Sequence, residues 1–209
     1  MTPEAPSMWQ ALVLWLLWCF LHSWLISATA RTWIETRGGC HQGAFRLGYV
    51  LFSFFTLLPL LWATHNFPQQ PFAPLPAWIQ AVQFILLLYA VFMFWGGWRV
   101  YDLRLFLGLQ QWQDYLAARQ SAEPEFKQSG ILAYVRHPWY SGGIALIWAM
   151  PSLTDVTLAV RLLLTAYLIT GTVLEERKLV ALLGEEYRIY QQEVPMLLPW
   201  KLMRRSSRL

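Results

Sequence analysis

Charge is scarce in this chain: only 13% of its 209 residues are Asp, Glu, Lys or Arg, about half the ~25% of an ordinary soluble domain. With 56% hydrophobic residues and a positive mean hydropathy, that shortage points away from a soluble globular protein. Two cysteines are too few for a disulfide framework. Cys19 sits inside an apolar run, and Cys40-His41 has no further residues at ligand spacing, so free thiols and no metal centre are expected. The basic residues lie between apolar runs rather than along one stripe, so no nucleic-acid partner is expected. No positive charge precedes the first apolar run; without it there is no n-region of a cleavable signal, and that run is expected to stay as a helix. The apolar runs also lack the period-two alternation of a membrane barrel strand.

What the chain has is long apolar runs and 13 tryptophans, a residue favoured at membrane–water boundaries. A spanning helix takes ~20 mainly apolar residues, and candidates run over 9–27, 45–64, 78–98, 139–152 and 156–174. Helices satisfy their backbone polar groups within one segment, which a bilayer demands. Leu103, Phe106, Leu109, Trp112 and Leu116 recur at helical spacing among polar neighbours, the pattern of an interfacial amphipathic helix. The fold class expected is therefore all-α: a polytopic membrane helix bundle of about five transmembrane helices, with this interfacial helix, a short C-terminal helix and a single domain over 1–209. Loops 30–44 and 99–136 and the tail from Arg177 onward hold almost all the Lys and Arg, whereas the leader, loop 65–77 and turn 151–155 hold none. The positive-inside rule then puts the N-terminus outside and the C-terminus in the cytoplasm. Arg161, near the outer end of the fifth run, is expected to snorkel outward.

Chemistry concentrates in GILAYVRHPWYSGG, Gly130 to Gly143. Pro disfavours helix in the residue before it and suits a first helical turn. Arg136-His137 thus form a corner before a helix opening at Pro138, with free N–H groups and the positive end of the dipole directed at it. That corner suits a carboxylate or phosphate, while Gly142 and Gly143 admit a ligand or another helix closely. The bland alternative is an anchoring Arg136 with a His137-Pro138 cap. Glu175-Glu176 ends the fifth run; two carboxylates at a helix C-terminus oppose the dipole, and they are either a solvated end or a ligand contact. A short turn joins the fourth and fifth runs, so a hairpin brings the corner and the pair together, facing the cytoplasm. His22, an ionisable residue inside the first run, is a functional candidate by position. It either orients or deprotonates an acceptor, or is a neutral histidine bonded to a neighbouring helix. Tyr101, Asp102 and Arg104 read as interfacial anchors or as a cover over the site, and Arg46 as an anchor.

The pieces YVRHPWYSG and EERKLVALLGEEYRIYQQEVPMLLP, with the interval between them, resemble the isoprenylcysteine carboxyl methyltransferase-like superfamily of membrane enzymes. LHSWLIS, FRLGYVLFS and YDLRLFLGLQQ in the front half are similar to its bacterial branch, which includes small-thiol (methanethiol) S-methyltransferases. The resemblance implies an S-adenosylmethionine-dependent methyltransferase of the bacterial inner membrane, with cofactor-binding residues in region 130–199. Tyr134, Val135, His137, Pro138, Tyr140, Gly142, Glu175 and Glu176 would line the cofactor pocket. His22 and Arg136 are the catalytic candidates. The implied partners are membrane lipids and a small-molecule or lipid-like acceptor, which is a thiol, a carboxylate or an amine. Aromatic residues Tyr134, Trp139, Tyr140 and Tyr187 could stack on adenine or meet a sulfonium through cation–π attraction. Methyl transfer mainly needs positioning and exclusion of water, consistent with the lack of a Ser-His-Asp set. Two other readings share the scaffold: an NADPH-dependent membrane reductase of the sterol-reductase type, with Asn expected where Trp139 stands, and a non-catalytic membrane protein keeping the fold.

Overall fold

A computed structural model describes residues 8–37, 42–72, 74–119 and 126–200. The readings made on Cys40 and His41 fall outside them. Helices α1 (Met8–Leu25), α2 (Ala28–Arg37), α3 (Gln42–Asn66), α4 (Ala77–Val100), α5 (Leu103–Leu107), α6 (Leu109–Leu116), α7 (Pro138–Ala149), α8 (Asp155–Leu183) and α9 (Glu185–Glu193) account for the described elements, with one 3-10 turn at Gly130–Ala133. The chain is all-α, as expected, and α1, α3, α4 and α8 are long and apolar enough to cross a membrane. Their outward faces carry large apolar side chains such as Trp9, Phe20, Phe55, Trp62, Phe84 and Ile85, all exposed, as suits contact with lipid rather than water.

Three elements depart from the sequence expectation. The fourth apolar run yields only a 12-residue helix, about 18 Å long against a hydrocarbon core of ~30 Å, so among the described residues four helices rather than five meet the length of a span. It ends early because Pro151 cannot continue it and Arg161 takes over its last carbonyls. The stretch 30–44, read as a loop, instead opens within helix α2, with Ser27 Oγ accepting from the Ala30 N–H at 3.2 Å at the helix start. The amphipathic segment is two helices, split at Gly108, whose φ of 84° ends α5. A side chain there would meet the Leu47 backbone nitrogen at 2.5 Å.

Two compact units are distinguished, the first drawn from Met1–Gln70, Asp102–Glu125 and Asp155–Val160, the second from Pro71–Tyr101, Phe126–Thr154 and Arg161–Leu209. In the first unit α1 runs antiparallel to α3. Trp15 Nε1 donates to Thr64 Oγ1 at 2.9 Å and Trp18 Nε1 to Thr56 Oγ1 at 3.0 Å, so polar groups in apolar helices find partners instead of lipid. The α5–α6 pair covers the start of α3, where Arg46 Nε donates to the Phe106 carbonyl at 2.9 Å.

In the second unit α7 packs antiparallel on α4. Trp139 lies on Gly97, Gly142 on Ala90 and Met93, and Gln83 Nε2 donates to the Met150 carbonyl at 2.9 Å. Around the first turn of α7, Met93, Ile131, Leu132 and Val135 form a buried apolar cluster. Beyond α7 the chain turns beside Pro71–Phe72, with a Phe72 N–H to Leu153 carbonyl bond of 3.2 Å. Pro71–Phe72 and Leu153–Thr154 therefore meet. Arg161, expected to snorkel, is instead buried and caps α7: its Nη2 donates to the Met150 carbonyl at 2.9 Å and to that of Ser152. The guanidinium, together with the Gln83 amide, satisfies helix-end carbonyls that the helix itself leaves unpaired.

Candidate functional site

The corner before α7 forms as its sequence dictates. His137, ahead of Pro138, holds an extended φ of −124° and ψ of 69°. Its N–H and that of Arg136 are not left to a ligand, contrary to expectation. They donate to the carbonyls of Met196 and Pro195, at 3.1 and 3.0 Å, so segment 194–197 straps the corner from outside. Tyr89 on α4 binds the same strap and α7, with its hydroxyl 2.7 Å from Ser141 Oγ and 3.4 Å from the Leu197 carbonyl.

At the centre is Glu176, which α8 brings against this corner as the expected hairpin requires. Oε1 accepts from Arg136 Nε at 2.9 Å, His137 Nε2 at 2.6 Å and the Tyr187 hydroxyl at 2.6 Å. Oε2 accepts from Arg136 Nη2 at 2.7 Å and Gln191 Nε2 at 2.5 Å. A carboxylate offers about four lone-pair sites, so five donors leave none for a ligand. The two-pronged Arg136 contact is the strong, geometrically fixed kind of ion pair, and all of it is buried. Arg136 is as fully committed: Nη1 donates to the carbonyls of Gln191, at 3.1 Å, and Val194, occupying four of the five guanidinium N–H groups. Glu176 and Arg136 thus form a knot that fastens α7, α8, α9 and the strap together.

Tyr187 and Tyr190 belong to α9, which leaves α8 at Gly184, whose φ of 63° suits glycine. Burial, and then the Glu176 carboxylate beside it, push the Tyr187 phenol well above its usual range, so it remains a neutral donor. Burial likewise raises Tyr190, to about 12, with Arg136 pulling it down and Glu176 up; its hydroxyl donates to the Leu132 carbonyl at 2.6 Å. Tyr187 is 1% exposed, which removes it from the residues able to stack on a ligand.

Around the knot, side chains remain that a ligand can reach. Glu175 makes no hydrogen bond among the described residues; its side chain is 44% exposed and Oε2 lies 3.9 Å from His137 Nδ1. Burial and then the Glu175 charge raise the Tyr101 phenol well above its usual range, and the Tyr101 ring packs edge-on against Trp139. Tyr140 faces the His137 ring edge-on, with Gly171 across from it, and Tyr134 is exposed. On the α9 side is a hollow of about 380 Å³, lined by Val173, Glu176, Arg177, Val180, Gln191 and Met196. Val135, Pro138 and Gly142 are buried, Val135 in the apolar cluster and Gly142 against α4, so they shape the corner rather than touch a ligand. Sequence reasoning missed Gln191 and the strap. The signal was there: Tyr187, Tyr190, Gln191 and Val194 follow an i, i+3, i+4, i+7 pattern on one helix face.

His22 lies in the first unit, within its own network. Its ring stacks on Trp18 at 4.8 Å. The Ser53 hydroxyl donates to the Tyr49 carbonyl at 2.8 Å, so toward His22 Nδ1, at 3.0 Å, it can only accept. That leaves Nε2 as the acceptor of the Tyr49 hydroxyl at 2.7 Å.

A family model described as "NnrU protein" matches residues 8–190. Methanethiol S-methyltransferase 1 of Bradyrhizobium diazoefficiens is 35% identical over 164 residues, 75% of this chain and 55% of that protein. The methanethiol S-methyltransferase of Pseudomonas deceptionensis is 38% identical over 114 residues, covering 51% and 44%. That of Mycobacterium tuberculosis is 32% identical over 170 residues, covering 74% and 64%. The chain spans about half the length of the curated relatives it matches. No solved structure matches it.

Proposed function

Because the chain belongs to the NnrU protein family, of the isoprenylcysteine carboxyl methyltransferase-like kind, we propose that it is an S-adenosylmethionine-dependent methyltransferase. Its place is the bacterial inner membrane, with the site of unit two on the cytoplasmic side. The relatives' names and the apolar surroundings support a small or lipophilic acceptor, with a thiol favoured. The observation that carries the reading is the knot at Glu176, which brings the Arg136-His137-Pro138 corner and the Glu175-Glu176 pair into one site.

The residues fit the cofactor. It carries an ammonium, a carboxylate, ribose hydroxyls, adenine and a sulfonium, and a hollow of about 380 Å³ falls among small-molecule sites of roughly 300–1,000 Å³. Glu175, whose carboxylate is unspent, would take the ammonium or ribose hydroxyls. Arg177, on the wall of the hollow, would take the carboxylate, and the rings of Tyr134 and Tyr140 suit adenine or the sulfonium. When bound, the group supplies an electrophilic methyl carbon. The chain's part is to hold both reactants in line and keep water out. Arg136 and Glu176 serve as positioning residues, since their polar atoms are spent on each other and on the strap. His22 remains a candidate for orienting the acceptor.

The test is to incubate purified protein with methyl-labelled S-adenosylmethionine and a panel of thiols, carboxylates and amines, and to identify labelled product by mass. One labelled acceptor class supports the proposal. Absence of both product and cofactor binding overturns it, and NADPH consumption with an enone in the same preparation would put a reductase in its place.

A further inference from the structure

The hydrogen bonds around His137 fix more than its position. Glu176 is held by a two-pronged arginine contact and accepts on both oxygens, so the His137 Nε2 atom 2.6 Å from Oε1 must be the donor. A neutral imidazole with its proton on Nε2 carries a lone pair on Nδ1. No hydrogen bond to Nδ1 is present among the described residues; its nearest charged neighbour is Glu175 Oε2, at 3.9 Å. His137 as a whole is only 5% exposed, and its Nδ1 edge is the one turned toward the half-exposed Glu175 carboxylate.

We propose that His137 is the general base of the reaction, taking the proton of a thiol acceptor on Nδ1, with Glu176 fixing the tautomer behind it. This rests on the methyltransferase reading above. In the step, the S–H bond breaks and an N–H bond forms on Nδ1. The pair left on sulfur attacks the donor's methyl carbon, whose bond to the sulfonium sulfur breaks and returns its pair there. The imidazolium later gives its proton to water, so one sulfonium charge is exchanged for one released proton. Carboxylate–imidazole pairs support proton abstraction in this way wherever the carboxylate orients the ring and steadies its charged form. Here the imidazolium sits between two carboxylates, Glu176 on Nε2 and Glu175 toward Nδ1. The other titratable or charged groups facing it are Arg136 beside it, Tyr140 on α7 and Tyr187 on α9, with Tyr101 beyond Glu175. The arrangement selects acceptors that arrive protonated: alkyl thiols gain from it, while carboxylates, already ionised, have no use for it.

The experiment uses His137→Gln, whose amide can still donate to Glu176 and so keep the knot. With an alkyl thiol, kcat/KM at neutral pH is expected to fall by about 10²–10⁴-fold. With an aryl thiol already ionised at that pH the fall should be at least about tenfold smaller. The alkyl-thiol rate should return as pH rises toward the thiol's own ionisation. Independently of turnover, ¹⁵N-histidine spectra of the wild-type protein, assigned by difference from the variant, should show the His137 proton on Nε2 and a bare Nδ1. Equal losses with both thiols, or a proton on Nδ1, overturn the assignment. A wild-type protein that methylates no acceptor defeats the broader reading instead, and the spectra still report the tautomer.

Discussion

Glu176→Gln distinguishes a knot from a ligand contact. Glutamine has the same shape, so no cavity opens and only charge and donor–acceptor matching change. Either orientation of the new amide is wrong. The milder one turns its NH₂ toward Arg136 Nη2 and Gln191 Nε2, both donors, and leaves three donors on the remaining oxygen. The Arg136 guanidinium then stays buried without its counter-charge. Removing one partner of a buried pair costs about 3–5 kcal/mol. At roughly 2–4 °C per kcal/mol for a chain of this size, the melting temperature should fall by about 6–20 °C. Glu175→Gln is the control: its side chain is 44% exposed and 3.9 Å from the His137 ring, a geometry worth about 0.5 kcal/mol or less. Thermal unfolding in detergent without cofactor, followed by tryptophan fluorescence, measures both. If Glu176→Gln melts within about 2 °C of Glu175→Gln, the knot does not hold the unit together and Glu176 returns to the ligand-binding set.

Four further outcomes are expected. Tyr187 and Tyr190 hold their protons above the ordinary phenol value of 10.0, Tyr190 up to about 12. The unfolded chain ionises first, so stability is full below pH 10 and is lost as pH rises from 10 toward 12; tyrosinate absorbance should rise together with unfolding, and its early appearance in a folded protein would contradict the burial. Gly97→Ala drives a Cβ into the Trp139 indole and should cost about 1–3 kcal/mol by overpacking, seen as a lower melting temperature; an unchanged value would mean α4 and α7 are loosely joined. His22→Ala should lower turnover more than cofactor affinity, and unaltered turnover would leave His22 only its structural hydrogen bonds. Single cysteines in loop 65–77 should be labelled from outside intact cells and one at Arg188 only after permeabilisation; the reverse pattern inverts the proposed orientation.

The membrane-crossing part of the fold was legible in sequence because lipid imposes a simple demand, an apolar stretch with its backbone satisfied internally, and α1, α3 and α4 follow it within a few residues at either end. It became illegible where the demand lapses. The reading of the fifth run ended at Leu174, where charges begin, but α8 continues to Leu183 because its partners there are Arg136, His137 and α9 rather than lipid. The corner at Arg136-His137-Pro138 was readable from the local rule for residues before proline, and its meeting with Glu176 from hairpin geometry. The role of each carboxylate was not, because it depends on which donors converge from Tyr187 and Gln191 across the chain. Two adjacent glutamates of equal standing in the sequence become one occupied carboxylate and one open one.

The strap at 194–197 also has a consequence for how the protein is made. The last residues that shape the corner leave the ribosome only after α1, α3, α4 and α8 have been synthesised, so while those helices insert the Arg136 guanidinium lacks the Val194 and Gln191 carbonyls that it later binds. The clasp closes last, and a chain ending shortly after Glu193 is expected to carry these helices with its Arg136 corner unfastened.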